Sequence, residues 1–271
     1  MRALGLLFLF VVSGCTSHFF YPDRVFVQGP ERYGLEYREM QFSAADGTAL
    51  HAWYLPARGE AKGTILFLHG NAQNISAHLP SVAWLPAEGY NVLALDYRGY
   101  GRSAGSPDLP GIMLDIDAAL RALLARPEAR REGVIVFGQS LGASLAIYYV
   151  ANSAYRKHVR AVVADSPFAD YRQVVREKMA GFWLVWPFQW LPAFTVNNDY
   201  SPRKSVAALS PIPLLLLRGE RDAVVPPHHA QLLYEEAREP KALWSVPEAG
   251  HIGALHSAAL RRRLVQYLDS R

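Results

Sequence analysis

The stretch VIVFGQSLGASLAIYY, residues Val134–Tyr149, contains a serine, Ser140, at the point where its residue pattern changes. The first part is apolar and β-branched, which predicts a buried strand, and the second part is rich in helix formers. Gly138 and Gly142 lie two residues to either side of the serine. Glycines there relieve crowding in a sharp strand-to-helix turn that exposes the hydroxyl. We therefore predict that Ser140 is a nucleophile, with a helix N-cap serine as the alternative.

Other continuous apolar runs lie on both sides of this stretch, namely GTILFLHG, NVLALDYRG, VRAVVADS and IPLLLLRG. Runs of this kind predict strands that are buried on both faces. Segments with helical spacing, such as GIMLDIDAALRALLARP, lie between them, so we predict a parallel sheet with helices on both faces. Two alternating runs around Asp46 and Gly47 predict an antiparallel hairpin before the first of these strands.

The composition argues against two classes of function. The chain has 271 residues and a formal net charge of +4, with no basic run interleaved with aromatic residues. We therefore expect no nucleic-acid partner. The nine histidines show no H-E-x-x-H spacing and the chain has one cysteine, so we expect no metal and no other cofactor.

The N-terminal segment MRALGLLFLFVVSGCTS has the pattern of a targeting signal. Its apolar run, residues 3–12, is shorter than the about 20 residues of a spanning helix but suits a signal peptide. The sole cysteine, Cys15, ends a stretch that resembles the bacterial lipobox, in which the cysteine is acylated and becomes the first mature residue. We predict a lipoprotein signal peptide over residues 1–14 and a lipid anchor at Cys15. An uncleaved anchor and a secretory signal with an incidental cysteine are the alternatives.

The same segment predicts where the protein is located. A lipid anchor places the chain in the bacterial cell envelope, attached to a membrane. Thr16 follows the cysteine, where an aspartate would indicate the inner membrane, so we expect the outer membrane.

Two backbone N–H groups are predicted to bind a developing oxyanion. One is the N–H of Leu141, at the positive start of the helix that follows the nucleophile. The other is expected in the loop after TILFLHG, where Gly70 allows close approach of the backbone. Asn71 is our candidate there, with Ala72 as the alternative. His69 precedes the nucleophile, whereas the catalytic histidine of such a site follows it, so we predict that His69 braces the loop.

The catalytic acid is expected just after a later strand. Asp222 and Glu220 both follow the run IPLLLLRG, and Asp165 ends the run VVAD one strand earlier. The residues alone leave these three carboxylates as candidates.

The catalytic base is expected after the last strand, in the segment WSVPEAGHIGALH. His251 is our candidate, because Gly250 allows a tight loop that brings the ring towards the serine. His256 is predicted to lie on the surface. His228 and His229 follow two prolines at a helix start, and we predict that both are solvated.

Residues 166–210 interrupt the alternation of strand and helix and are too long for a simple connection. We predict a cap over the strand ends, whose aromatic residues line a pocket above Ser140 or lie on the surface. An ordinary crossover helix with an aromatic core face is the alternative. The aromatic residues are Phe182, Trp183, Trp186, Phe188, Trp190 and Phe194.

From about Tyr33 to the C-terminus, the chain resembles serine hydrolases of the α/β-hydrolase superfamily that carry H-G-N-A after the third strand. The HGNA of residues 69–72, the segment DYRGYGRSAGSP and the segment GHIG carry the resemblance. It implies an α/β-hydrolase fold, with a mostly parallel eight-stranded sheet and an N-terminal antiparallel hairpin. The domain would span residues 33–271, after an arm of residues 15–32. The resemblance also favours Asp222 as the acid, because G-x-x-D-x-x-V-P is a recurrent acid loop in these enzymes.

The resemblance further implies that Ser140, Asp222 and His251 cleave carboxylic esters or thioesters through an acyl-enzyme. Similar proteins include membrane-associated thioesterases that remove fatty acyl chains from protein cysteines, and bacterial esterases. We therefore expect a small-molecule or lipid acyl ester as substrate. A serine peptidase and a non-catalytic envelope binding lipoprotein are the alternatives, and the sequence leaves the oligomeric state open.

Overall fold

The computed structural model describes residues 19–181, 183–184 and 186–271. The predicted signal peptide, Cys15 and Phe182 lie outside the described residues, so those predictions stay predictions. Within the described ranges, no helix is both long enough and apolar enough to cross a membrane.

Eight strands form one central sheet, and two short strands pair separately. The strands are β1 (Tyr21–Pro22), β2 (Arg38–Ser43), β3 (Ala49–Leu55), β4 (Gly63–Leu68), β5 (Ala72–Gln73), β6 (Tyr90–Asp96), β7 (Val134–Gln139), β8 (Val159–Asp165), β9 (Leu214–Gly219) and β10 (Lys241–Val246). The spatial order is β2-β3-β6-β4-β7-β8-β9-β10, and β1 pairs with β5. Strands β2, β3 and β6 are antiparallel neighbours, and all other neighbours in the sheet are parallel. The predicted eight-stranded sheet with an N-terminal hairpin is confirmed.

Helices connect the strands and cover both faces of the sheet. The α-helices are α1 (Ile75–His78), α2 (Leu109–Leu124), α3 (Pro127–Glu132), α4 (Leu141–Asn152), α5 (Tyr171–Ala180), α6 (Pro192–Thr195), α7 (His228–Glu236) and α8 (Ala258–Asp269). Short 3₁₀ helices span Pro30–Tyr33, Leu79–Ser81, Leu85–Glu88, Arg156–His158, Trp186–Phe188, Pro202–Lys204, Val206–Leu209 and Ala254–His256.

The two faces of the sheet have separate hydrophobic cores, and strands β3, β4 and β6–β10 contribute side chains to both. Along β4, Leu66 and Leu68 pack with α2 and α4 on one face. Ile65 and Phe67 pack with α1 and α8 on the other. Side chains alternate across a strand, so a strand covered on both faces has apolar side chains at consecutive positions. This explains the long apolar runs in the central strands, whose polar residues lie at or near the strand ends.

The topology gathers the predicted functional residues at one edge of the sheet. Strands β4, β7, β8 and β9 are parallel neighbours, so their carboxyl ends lie side by side. Ser140 directly follows β7, Asp165 ends β8, and Asp222 follows β9. Ligands of open parallel sheets bind beyond these strand ends.

The segment between β8 and β9 contains α5, α6 and three of the 3₁₀ helices. Helix α5 begins with an N-cap at Asp170, whose side chain accepts a hydrogen bond from the N–H of Gln173 at 2.9 Å. Its inner face is anchored by Tyr171 and Val174, which are both buried. The helix therefore stands beside the carboxyl edge of the sheet as one wall of the site described below.

Candidate active site

The turn at Ser140 is held in a conformation that few residues adopt. Ser140 has φ 52° and ψ −115°, between the end of β7 and the start of α4. A Cβ on Gly142 would overlap the carbonyl oxygen of Leu68, and one on Gly138 would overlap the carbonyl oxygen of Gly142. Backbone packing therefore requires both glycines. The Ser140 side chain makes no capping hydrogen bond, so the N-cap alternative does not describe it.

His251 and Asp222 form a close pair. The imidazole Nδ1 lies 2.7 Å from Oδ2 of Asp222, and Oδ1 accepts hydrogen bonds from the N–H groups of Val224 and Val225 at 2.8 Å each. Burial by itself raises the pKa of Asp222, but the hydrogen bonds from His251 and the two amides outweigh it, and the pKa is lowered. An ionised Asp222 orients the Nδ1–H tautomer of His251, which leaves Nε2 as the proton acceptor.

The structure does not join Ser140 directly to this pair. Among the described residues, the hydrogen bond of the His251 side chain is the one to Asp222, and none links it to the Ser140 hydroxyl. In unliganded enzymes such a contact is often long and tightens when the substrate binds. The predicted catalytic roles of Ser140, Asp222 and His251 therefore stay predictions, supported by the geometry around each residue.

The two other carboxylate candidates have different partners. Glu220 is exposed and accepts a hydrogen bond from Nε of Arg218 at 2.9 Å. Asp165 is completely buried, and its Oδ2 accepts a hydrogen bond from Nε2 of Gln139 at 3.0 Å. Burial raises the pKa of Asp165 to about 6. Neither carboxylate is hydrogen-bonded to His251.

Ser166, directly after Asp165, connects β8 to the histidine loop. Its hydroxyl donates to Oδ1 of Asp165 at 3.3 Å and accepts a hydrogen bond from the N–H of Ile252 at 3.1 Å. Ser166 and Ile252 both have positive φ, at 56° and 49°. A polar connection therefore runs from Asp165 to the residue that follows His251. Sequence reasoning missed it, because no local pattern links positions so far apart in the chain.

Both predicted oxyanion residues lie at the same cavity as Ser140. The cavity has a volume of about 490 Å³, and Asn71, Ser140 and Leu141 are among its lining residues. Within the described part of the chain, the N–H groups of Asn71 and Leu141 have no intramolecular acceptor. Ala72, the alternative, belongs to the short strand β5 and does not line the cavity. The arrangement favours Asn71 over Ala72.

Two tyrosines hold the loop that carries Asn71. The hydroxyl of Tyr100 donates to the carbonyl oxygen of Asn71 at 2.8 Å, and that of Tyr97 donates to the carbonyl oxygen of His69 at 3.0 Å. Asn71 in turn donates through Nδ2 to the carbonyl oxygen of Phe19 at 2.6 Å. Sequence reasoning did not single out these tyrosines or Phe19. The segment DYRGYG shows two tyrosines, but only the fold brings them under the loop.

His69 is fully buried beneath this loop, where it was predicted to act as a brace. Its Nδ1 donates to the carbonyl oxygen of Gly70 at 2.7 Å, and burial holds its pKa well below the usual value, so the ring is neutral. His78, which the sequence did not indicate, stacks on it with ring centroids 5.5 Å apart. The His78 ring covers Gly70, because a Cβ there would lie 2.9 Å from its Cε1.

The remaining walls of the cavity are mostly apolar. They come from the N-terminal arm, from α5 and from the loop after Asp222, and Lys178 is the only charged group among the described lining residues. Lys178 donates through Nζ to the carbonyl oxygen of Ala223 at 2.8 Å, so it also ties α5 to the acid loop. The additional lining residues are Phe19, Tyr21, Phe168, Val174, Val175, Met179, Val224 and Val225.

The prediction that His228 and His229 are both solvated is wrong for His229. Its ring is completely buried, with Nδ1 accepting a hydrogen bond from the N–H of Ala169 at 3.2 Å. Nε2 of His229 and Nε2 of His228 lie 3.0 and 3.1 Å from the carboxylate oxygens of Glu177. The first turn of α7 packs this ring under α5, which the local sequence does not reveal.

These three side chains also place possible metal-ligand atoms within 4.8 Å of one another. However, the Ala169 N–H occupies the Nδ1 lone pair of His229, so a neutral ring must carry its proton on Nε2. That proton is donated to Glu177, and Nε2 has no lone pair for a metal. The arrangement is that of a hydrogen-bonded cluster that joins α5 to α7.

The aromatic residues of the predicted cap that the structure describes, within residues 183–194, do not line the cavity above Ser140. Five of them are described, and all five are exposed, which also excludes the alternative of an aromatic core face. They are Trp183, Trp186, Phe188, Trp190 and Phe194, with exposed fractions of 77, 57, 49, 55 and 77%. Of the two locations predicted for them, the surface is the one that the structure shows.

Comparisons with known proteins agree with this architecture. The model of the family described as "Serine aminopeptidase, S33" matches residues 59–210, and that described as "TAP-like protein" matches residues 187–270. YfhR of Escherichia coli K12 is 35% identical over 98% of this chain and 94% of its own length. The α/β hydrolase domain-containing protein WAV2 of Arabidopsis thaliana is 35% identical over 77% of this chain and 69% of its own length. The esterase Pf2001 of Pyrococcus furiosus superposes with a TM-score of 0.73 at 26% identity, covering 92% of this chain and 98% of that structure.

Proposed function

The chain belongs to the α/β-hydrolase superfamily of hydrolytic enzymes, and on that premise we propose that it is a serine hydrolase of carboxylic esters or thioesters. One observation carries the proposal. Ser140, in its strained turn, lines the same apolar cavity as Asn71 and Leu141, whose N–H groups have no acceptor among the described residues. An acyl group in this cavity would have its carbonyl carbon beside a nucleophile and its oxygen beside two donors.

The proposed reaction proceeds in two halves. In the first, Oγ of Ser140 attacks the acyl carbon while Nε2 of His251 takes the hydroxyl proton, and Asp222 stabilises the resulting imidazolium. The two N–H groups bind the oxyanion until the alcohol or thiol leaves with the proton from His251. In the second half, water attacks the acyl-enzyme, His251 takes its proton, and Ser140 is regenerated as the carboxylic acid departs.

A peptidase activity is the second candidate, because the matched family is described as a serine aminopeptidase. An aminopeptidase must bind the cationic amino terminus of a peptide, for which a carboxylate beside the nucleophile is the natural partner. Among the described residues that line the cavity, the charged group is Lys178, which is itself a cation. This favours an uncharged acyl group over a peptide amino terminus.

The test is reaction with a fluorophosphonate probe, followed by hydrolysis of p-nitrophenyl butyrate and of alanine p-nitroanilide. We expect an adduct on Ser140, ester hydrolysis and its loss in Ser140→Ala, since removing the nucleophile costs about 10⁶ in turnover in a related mechanism. Ser43→Ala, at an exposed serine, is the matched control. An adduct on another serine, or cleavage of the anilide in preference to the ester, would contradict the proposal.

We also propose that Cys15 is the acylated first residue of the mature chain and holds the enzyme on the bacterial envelope, at the outer membrane. The support is the sequence pattern alone, a short apolar run that ends at the sole cysteine. Cys15→Ala should leave the chain unacylated and largely absent from the membrane fraction, as measured by mass spectrometry and fractionation. Unchanged acylation or retention would refute the anchor.

A further inference from the structure

We propose that the surface formed by the exposed apolar residues of segment 183–194 binds a phospholipid bilayer and turns the mouth of the Ser140 cavity towards it. We call this the aromatic surface. Its members are Trp183, Leu184, Trp186, Phe188, Trp190 and Phe194. The second half of the proposal, that ester-bearing acyl chains reach Ser140 from the bilayer, rests on the function proposed above.

The first observation is the exposure of the aromatic surface together with the absence of charged residues from its own stretch of sequence. Each of its members exposes about half of its side chain or more. Residues 179–198 contain no Asp, Glu, Lys or Arg in the sequence. Single exposed apolar residues are ordinary, but a cluster of this kind marks an interaction surface. Tryptophan and phenylalanine are also the side chains that favour the boundary between headgroups and acyl chains.

The second observation is the position of this surface relative to the catalytic cavity. Helix α5 separates the two, because Val174, Val175 and Met179 line the cavity, while the aromatic surface begins three residues after the helix ends. The segment folds back on the same helix, and Nε of Arg172 donates to the carbonyl oxygen of Val196 at 2.9 Å. A membrane or a molecule that binds to the aromatic surface would therefore lie close to the Ser140 cavity.

The third observation identifies the occupant as a bilayer. The described chain begins at Phe19, which lines the cavity and contacts Tyr171 of α5 edge-to-face, with ring centroids 5.5 Å apart. Cys15 lies four residues earlier in the sequence, so the lipid proposed above would be attached within about 14 Å of this wall. If the apolar run of residues 3–12 is the anchor instead, its end lies within about 25 Å. With either of these two anchors, a bilayer would lie on this side of the molecule.

Charge near the aromatic surface is compatible with anionic lipid headgroups. Arg172 and Arg176 are exposed on α5 and line a second cavity of about 510 Å³ together with Trp190 and Phe194. Asp170 also lines this cavity, but its carboxylate is occupied by hydrogen bonds from Gln173 and Asn198. Cations next to interfacial aromatic residues add attraction to the phosphates of a membrane surface.

The binding test uses the full chain with vesicles of phosphatidylethanolamine and phosphatidylglycerol that carry brominated acyl chains, which quench nearby tryptophans. We expect the wild type to lose about half of its tryptophan emission, because three of its six tryptophans belong to the aromatic surface. Replacing those three by phenylalanine (W183F, W186F and W190F together) keeps the surface apolar and should abolish the quenching. The matched control is W84F with W244F, which should leave the quenching of the other tryptophans in place.

Two results of this experiment would overturn the proposal. One is wild-type emission that brominated vesicles do not quench. The other is quenching that persists in the triple phenylalanine variant, which would place the contact elsewhere. Sedimentation then tests whether the aromatic surface binds a second copy of the chain. That is the conclusion if the vesicles do not quench the wild type, the wild type is a dimer, and the triple serine variant (W183S, W186S and W190S) is a monomer.

A kinetic experiment tests the second half of the proposal. The triple serine variant should lose at least about tenfold more activity on a long-chain ester embedded in vesicles than on dissolved p-nitrophenyl butyrate. Tyr37→Ser with Leu114→Ser, at apolar residues exposed elsewhere, is the control and should show no such difference. Equal losses on both substrates would overturn delivery from the bilayer. If the wild type hydrolyses neither ester, the proposed function fails, while the quenching result still decides whether the surface binds lipid.

Discussion

Two buried aspartates at the ends of neighbouring strands have opposite electrostatic environments. Asp222, after β9, accepts hydrogen bonds from His251 and from two backbone N–H groups, and its pKa is lowered. Asp165, at the end of β8, accepts hydrogen bonds from the side chains of Gln139 and Ser166, and burial raises its pKa to about 6. The imidazole N–H and two backbone N–H groups stabilise the Asp222 carboxylate, whereas one side-chain amide and one hydroxyl do not offset the desolvation of Asp165. Asp222 is therefore suited to orienting His251, whereas Asp165 is suited to a structural role.

The largest expected effect comes from removing the charge next to His251. Asp222→Asn should lower kcat for p-nitrophenyl butyrate by about 10⁴, because an amide no longer stabilises the imidazolium or fixes the Nδ1–H tautomer. Asp165→Asn is the matched control and should lower kcat by less than about tenfold. Circular dichroism checks that both variants are folded. A folded Asp165→Asn that is inactive, beside an active Asp222→Asn, would reverse the assignment.

The second effect is on stability and depends on pH. The pKa of Asp165 rises from 3.8 to about 6 on folding, so its ionisation opposes folding. Well below pH 3.8 the carboxyl is protonated in both states and costs nothing. As the pH rises from 3.8 to about 6, the wild type should lose up to about 3 kcal/mol of unfolding free energy relative to Asp165→Asn, which cannot ionise, and the difference should stay constant at higher pH.

Urea unfolding of both proteins between pH 4 and 8 measures this difference. Glu220→Gln, at an exposed carboxylate of the same edge, should show no comparable change relative to the wild type. A difference between wild type and Asp165→Asn that is constant across the range would mean that Asp165 is not the group that titrates.

The smallest effect tests the connection from Asp165 to the histidine loop. Ser166→Ala removes the acceptor for the N–H of Ile252 and should lower kcat/KM about tenfold, because His251 is less firmly placed. Ser166→Gly loses the same hydrogen bond but relieves the positive φ, so it should be about 1 kcal/mol more stable than Ser166→Ala. If both variants keep wild-type kcat/KM, the hydrogen bond does not position the histidine.

The nucleophile turn and the sheet could be predicted from the amino-acid sequence. The crowding at Gly138 comes from Gly142 in the same turn, so the spacing of the two glycines around Ser140 reveals the turn, although the crowding at Gly142 comes from Leu68 on the neighbouring strand. Burial on both faces likewise shows in the sequence of each strand, because β4 and β7 have consecutive apolar residues at 65–68 and 134–137. Properties that depend on residues adjacent in the sequence can be predicted from the sequence.

Which groups meet across the site depends on the tertiary structure. The residues alone left Asp222, Glu220 and Asp165 as candidates and only the family resemblance favoured Asp222, whereas the loop geometry brings Asp222 to 2.7 Å from the imidazole. The burial of His229 was mispredicted for the same reason, since the covering residues belong to α5 and not to its own helix. Hydrogen bonds and desolvation act over a few ångströms in space, between segments that can be separated by any length of chain.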